Sequence, residues 1–404
     1  MIRLIKIENF KSLADVTITF DHFNCLIGMN GAGKSTVLQA LDFISQLMIG
    51  NVEDWLDSRG WTSQELNSKL RKESNIRVSI GWETADQIML IWSASFNRHD
   101  MRCSAEVVGC VGSNSDEQYD AEDLGGLLLP ETVLFRVYGQ SYRVRSQPKK
   151  DITFKYQGSI LSQLKSSELP ERILELRDAI RNIRSLELLS PHLMKKRART
   201  DASEIGAGGE KLSGYLSTIK GEQRAKLLGL LKEFYPNLQD FKISNSRAGW
   251  KRLAIIEQFG DKKIETEASH LNDGLLRILA ILSQTSTNRS LVLLDEVENG
   301  INQEVVGKLI NILLSSNQQI VVTTHSPLVL NYLADSEAKR SVQFVYKSPQ
   351  GETKLRHFFL IPRLAEKLEL MGAGDAFVDT DLISLTEECS QLDKKEEEKK
   401  IEKN

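Results

Sequence analysis

Gly28-Met29-Asn30-Gly31-Ala32-Gly33-Lys34-Ser35 is the stretch on which the fold turns. It fits the pattern G-x-x-x-x-G-K-[ST]. An apolar run, Phe23 to Ile27, leads into it, and Ser35 to Met48 follows with Val37, Leu38, Leu41, Ile44 and Leu47 at helical spacing. Strand, loop and helix in that order are the context in which this pattern binds phosphate. Glycines let the backbone wrap an anion with its N–H groups pointing inward, and the helix N-terminus adds partial positive charge. Lys34 is then expected to reach β- and γ-phosphates, and the Ser35 hydroxyl is a candidate ligand for Mg2+.

Working outward, Met1 to Glu8 alternates apolar and polar residues and Val16 to Phe20 follows as its partner, so a hairpin opens the fold. Between residues 75 and 160 five short alternating segments (76–82, 88–96, 105–111, 133–138 and 152–156) predict a β-rich lobe. Residues 165–260 turn helical and charged, notably at 170–189 and 209–234, with Pro236 as a breaker, and predict a helical insertion. From Leu271 onward helices (275–284, 303–315, 328–333) alternate with buried strands (290–294, 319–323, 342–346), which makes the class α/β with a parallel sheet. Residues 1–50 and 270–360 therefore form one core. Residues 361–404 read as a docking segment, with Gly372 to Phe377 as a docking turn, and a Lys/Glu/Asp-rich tail from Gln391.

Composition bounds the rest. A 404-residue chain with 41% hydrophobic and 26% charged residues is ordinary for a globular protein of two or three lobes. No long apolar run or signal-peptide pattern stands at the start, so a cytoplasmic location and no membrane partner are expected. Cys25, Cys103, Cys110 and Cys389 match neither zinc spacing nor a disulfide framework. The net charge of −3 offers no global attraction to nucleic acid, so any such surface is a local patch.

Ser290 to Leu294 is an apolar strand ending in Asp295-Glu296, the place where a strand meets a nucleotide in an open α/β sheet. There Asp295 is a candidate Mg2+ holder through water, and Glu296 a general base for the attacking water. Ile320 to Thr324 is the next buried strand and ends at His325.

With these motifs in this order, the chain resembles the ABC-type ATPases of the SMC, Rad50 and RecF group, and more closely the compact AAA15-like (AAA_21) ATPases. The resemblance is carried by Asn9 to Ser12, Gly28 to Thr36, Leu271 to Arg277, Leu293 to Gly300 and Thr323 to Pro327. It implies a RecF/SMC-like head, ATP and Mg2+ as ligands, and a homodimer or higher oligomer that shares its ATP sites. By the same resemblance Lys11, Gly28, Asn30, Gly31, Gly33, Lys34, Ser35 and Thr36 hold the nucleotide, and His325 is the switch histidine at the γ-phosphate. Leu271 to Arg277 is the signature, with Asn272, Gly274 and Arg277 as its contacts, and Asn299 to Asn302 is the D-loop. Two departures stand out: Asn272 replaces the usual serine, and the D-loop ends in Asn302 rather than an acid or histidine. Asparagine still donates a hydrogen bond, with different reach, which points to slow turnover. For the Q-loop glutamine, Gln157 and Gln163 are the candidates.

Two basic stretches, Tyr142 to Lys150 and Lys195 to Arg199, are candidates for tracking a phosphate backbone of DNA or RNA; the second lies in the insertion and ranks first. The expected function is an ATPase whose ATP-dependent dimerisation controls a nucleic acid or a separately encoded effector such as a nuclease, in an anti-phage defence system. A RecF-like repair ATPase is the alternative. A transporter subunit fits less well, because 240 positions separate Lys34 from Gly274. A full SMC or Rad50 would need a long heptad run, and none is present.

Overall fold

The computed structural model describes residues 1–111, 132–145, 147–246, 249–285, 287 and 289–401. The chain divides into two compact units, Met1–Ile183 with Ala334–Asn404, and Arg184–Leu333.

In the first unit, eight antiparallel strands run side by side in the order Leu13–Thr19, Ile2–Phe10, Asn75–Glu83, Met89–Asn97, Arg102–Val111, Val133–Tyr138, Ser141–Val144 and Lys150–Asp151. The opening hairpin and the β-rich lobe are thus one sheet. Its core face carries Ile5, Ile7, Val78, Ile80, Trp92 and Phe135, all buried, as alternation along a strand with one solvated face requires. The helix Lys34–Ile49 packs there through Phe43, whose ring lies 5.3 Å from Phe10 and 5.2 Å from Phe96. Phe10 reaches the core only because Asn9 takes a left-handed φ of 64°, which breaks the alternation. Asn9 is held there by donating to Glu73 O (2.7 Å) and Asn75 O (2.9 Å).

Also in this unit, the fully buried strand Phe23–Ile27 runs parallel to Val342–Lys347, which turns back antiparallel as Thr353–His357. The charged tail extends a helix, Leu382–Ile401. Arg356 ties it down through Asp393 (Nε, 3.0 Å) and Glu396 (Nη2, 2.7 Å), with the Tyr346 hydroxyl donating to the same Asp393.

The second unit holds the parallel pair Leu291–Leu294 and Gln319–Thr323 with helices Asp273–Thr285, Gln303–Leu314 and Pro327–Leu330 around it. Parallel strands buried on both faces read as continuous apolar runs, and these do. Among the described residues no helix is long and apolar enough to cross a membrane.

Three expectations are corrected. Residues 165–260 are not all helical: after Gly221–Phe234 the chain forms three antiparallel strands, Leu238–Asn245, Lys251–Phe259 and Lys262–Glu267. Dense charge hid their alternation, since the Lys and Glu side chains pair across strands, as Lys242 does with Glu265 at 2.8 Å. The expected strand 152–156 is absent; the ladder ends at Asp151, and Tyr156 is fixed instead by its hydroxyl donating to Cys103 O. Gly372 to Phe377 is no turn: it opens the short helix Ala373–Val378.

One buried carboxylate makes the fold pH-sensitive. Burial pushes Glu106 from 4.5 up to about 7, against the donations of Ser159 Oγ, Ile160 N (2.7 Å) and Trp92 Nε1 (3.1 Å). A raised carboxyl favours the protonated fold, so the contribution is full below 4.5 and lost as pH rises through about 7. Urea denaturation of Glu106→Gln and the parent across that window is expected to show a parent-only loss on the order of 3 kcal/mol. Equal pH slopes would contradict the assignment.

Candidate functional site

The phosphate loop is shaped from behind by the hairpin of Val342–Lys347 and Thr353–His357. Gly28, at φ 147°, lies where any Cβ would meet Val345 O, and Gly33, at φ 113°, lies where one would meet the Thr353 side chain. Only glycine fits either position. The Thr353 hydroxyl donates to Ala32 O at 2.9 Å, and it also contacts Ser12 Oγ (2.8 Å) and Lys347 Nζ (3.0 Å). A carbonyl fixed on the outer side of the loop leaves the amides of the inner side for an anion, beside a helix N-terminus whose first turn carries no acid.

Lys34 opens that helix, buried, and its Nζ donates to Gly28 O (3.0 Å) and Met29 O (3.1 Å), so the ammonium lies over the loop. Ser35 and Thr36 are half-buried in the first turn, and Asn30 and Gly31 form the exposed tip. Lys11, at φ 48°, places its Nζ 2.9 Å from Gln39 Oε1 of the same helix and 3.1 Å from the Trp61 ring centroid. Both contacts hold a cation close to the loop's helix.

In the second unit a threonine again organises the chemistry. Thr323 Oγ1 donates to Asp295 Oδ1 and accepts from Glu296 N at 2.8 Å. Glu296 has a φ of 45°, unusual for a side chain of this kind, and its carboxylate accepts from Asn299 Nδ2 at 3.0 Å. Such strain concentrates where the backbone must aim a reactive group. Arg277 donates to Asp295 O (2.8 Å) and Glu296 O (3.1 Å). Burial pulls its guanidinium below the usual value, opposed by the Glu296, Asp295 and Glu298 carboxylates. His325 is exposed, and its backbone N–H donates to Glu298 Oε1 at 3.0 Å.

The two departures from the familiar motifs have structural reasons. Asn272 caps the helix Asp273–Thr285, its Oδ1 accepting from Leu275 N at 2.7 Å, which leaves its amide N–H groups as donors. Asn302 caps Gln303–Leu314 in the same way through Glu304 N. Gly274 is glycine because a Cβ would come within 2.8 Å of Gly300 O, so the start of this helix and the turn at Gly300 are packed backbone to backbone.

Other expected residues lie elsewhere. Gln157 and Gln163 line a hollow of about 800 Å³ with Gly50, at the far end of the 16-residue helix Lys34–Ile49. That is about 24 Å from the phosphate loop, too far for a Q-loop. Lys195 and Arg197 pair with Asp273 (2.8 Å) and Glu267 (2.7 Å), which lowers the rank of that basic stretch. Asn299 opens the stretch already singled out in sequence, whereas Thr353, buried between Glu352 and Lys354 in a hairpin, carries no sequence signal.

The class so defined is a P-loop ATPase with the fold of an SMC head. The chain belongs to the AAA_15 family of AAA ATPase domains, whose profile matches residues 1–247. It is similar in fold to an SMC head bound to the C-winged helix domain of ScpA, with a TM-score of 0.53 and 13% identity over 88% of this chain and 96% of that one. An Smc head with an extended coiled coil, bound to the C-terminal domain of ScpA derived from Pyrococcus furiosus, aligns with a TM-score of 0.51 and 14% identity, over 91% and 99%. In sequence, 126 residues are 26% identical to the OLD nuclease of Thermus scotoductus, covering 31% of this chain and 20% of that protein. The match thus spans about a fifth of that nuclease's length.

Thr353→Val keeps shape while removing the loop's support, and is expected to weaken ATP binding about tenfold, with Thr353→Ser restoring it. Lys34→Ala is expected to lose binding outright. Titration calorimetry with ATP checks both; parent affinity in Thr353→Val would remove the supporting role.

Proposed function

We propose that this ATPase works as a dimer in which each chain's signature completes the partner's ATP site, and that ATP-dependent pairing controls a nucleic acid or a separately encoded effector such as a nuclease, in defence against phage. The observation that carries the reading is Arg277, a signature residue whose one guanidinium nitrogen holds the carbonyls of both Asp295 and Glu296. A contact made at the signature is thereby coupled to the acids that perform hydrolysis. The names of the relatives support partner control: SMC heads seen with ScpA, and a nuclease sharing part of this sequence.

In this reading the loop amides of Gly28 to Gly33, with Asn30, bind the triphosphate, and Lys34 and Lys11 neutralise it. The Ser35 hydroxyl and Asp295 carboxylate are hard oxygen donors of the kind Mg2+ takes, and Thr323 keeps the carboxylate oriented. Mg2+, when bound, offsets charge on the β- and γ-oxygens. Glu296, aimed by its strained backbone and Asn299, orients water and accepts its proton. His325 and the partner's signature amide meet the γ-phosphate. Location in the cytoplasm fits this work.

Glu296→Gln is expected to bind ATP as the parent does and to lose at least about a hundredfold in turnover. Parent turnover in that variant would remove the base. For sharing between chains, Asn272→Asp retains the helix cap while turning a carboxylate toward the γ-phosphate. Mixed with Lys34→Ala chains, it gives heterodimers with one intact site, so part of the activity returns. No recovery in chains shown to exchange subunits contradicts sites that are shared and turn over singly.

A further inference from the structure

The eight-stranded sheet has a second face, and its cross-strand register sets what that face displays. Lys6, Ser79, Ser93, Val107, Arg136 and Arg143 stand opposite one another in a single row. The adjoining row is Glu8, Arg77, Ser95 and Ala105. Small side chains in the middle and long cations to either side make an open trough of about 460 Å³. Arg77 and Arg136 are three strands and one row apart, about 14 Å across the sheet and about 7 Å along it. An adjoining hollow continues the cationic side with Arg143 and Lys149, the latter 5.6 Å from the Tyr138 ring centroid.

Charge sets the ligand class. Lys6, Arg77, Arg136, Arg143 and Lys149 outnumber Glu8, Asp15 and Asp151, the last standing opposite Ser141, in a chain whose net charge is −3. Glu8 is shared between Lys6 (3.4 Å) and Arg77 (3.1 Å), whereas Arg136 and Arg143 form no ion pair with any described carboxylate. We propose that this outward sheet face is a docking surface for duplex nucleic acid, gripped by its phosphates. The proposal rests on nucleic acid being a partner and names where it binds. Phosphates, not bases, are the target, because the floor is hydroxyls and methyls. Single strands are bound on successive aromatic stacking platforms; the trough floor has no ring among its described residues, and the adjoining hollow has Tyr138 alone, with Lys149 over it.

Fluorescence anisotropy of the full chain with a labelled DNA duplex, the matching RNA duplex and the single strand, each over a salt series, tests it. Arg136→Glu with Arg143→Glu is expected to weaken duplex binding more than about tenfold and to lower the salt slope by about two, each phosphate contact contributing about 0.9. Lys196→Glu with Arg199→Glu is expected to bind as the parent does. Unchanged ATP turnover without nucleic acid shows the variant is folded; should it fail to fold, Arg136→Gln with Arg143→Gln replaces it. Preference for DNA or for RNA identifies the source, and either supports the surface. Duplex binding by the parent with unaltered affinity and slope in the variant overturns the surface and leaves nucleic acid as a partner. Binding of single strands alone overturns the duplex assignment. Parent chain that binds none of the three at low salt overturns the partner reading with it.

Discussion

A backbone that turns its amides inward around an anion must present carbonyls on its outer side, and those carbonyls need partners of their own. In this chain the demand is met by one hydroxyl, Thr353, at Ala32 O, and by glycines where Thr353 and Val345 leave no space for a Cβ. Leaving such a carbonyl without a partner in a buried position costs roughly 1–3 kcal/mol. The hairpin that brings Thr353 to the loop is anchored in turn by Arg356 and Tyr346 to the last long helix, so a segment remote in sequence holds the loop's shape.

The second unit solves a related problem with a related device. Asp295 and Glu296 are adjacent acids at one strand end, and their surroundings aim them differently. Thr323 takes the Asp295 carboxylate and the Glu296 amide at once, and Glu296 stands there with a left-handed backbone. Arg277 then secures both carbonyls, and Gly274 packs closely against Gly300. Residues 271–277, the two acids and residues 299–302 are thus tied together by direct contacts.

Much of this was legible in sequence because it is local. The loop Gly28 to Ser35, the apolar strand before Asp295 and the strand before His325 each carry pattern and chemistry within a dozen residues. What sequence hid depends on contacts across long separations or on charge that masks alternation. Thr353 meets Ala32 across more than three hundred positions, and nothing beside it signals that. The strands Leu238–Asn245 and Lys251–Phe259 alternate, yet charges such as Lys242 and Arg252 leave them inside a stretch that reads as a helical insertion. Asn9 belonged to a recognised motif, but its left-handed turn, which sends Phe10 to the core, is a tertiary fact. The Arg136 and Arg143 row needs a strand register that no single segment states.

Coupling between pairing and hydrolysis is the central claim, because a γ-phosphate bound by two chains links nucleotide affinity to dimer affinity by the same factor. The most direct measurement is ATP turnover per chain as a function of protein concentration, with the fraction of dimer determined in the same samples by light scattering. Specific activity is predicted to rise in proportion to the dimer fraction and to vanish as the chain becomes monomeric. Specific activity that stays constant while the chain is demonstrably monomeric would contradict it.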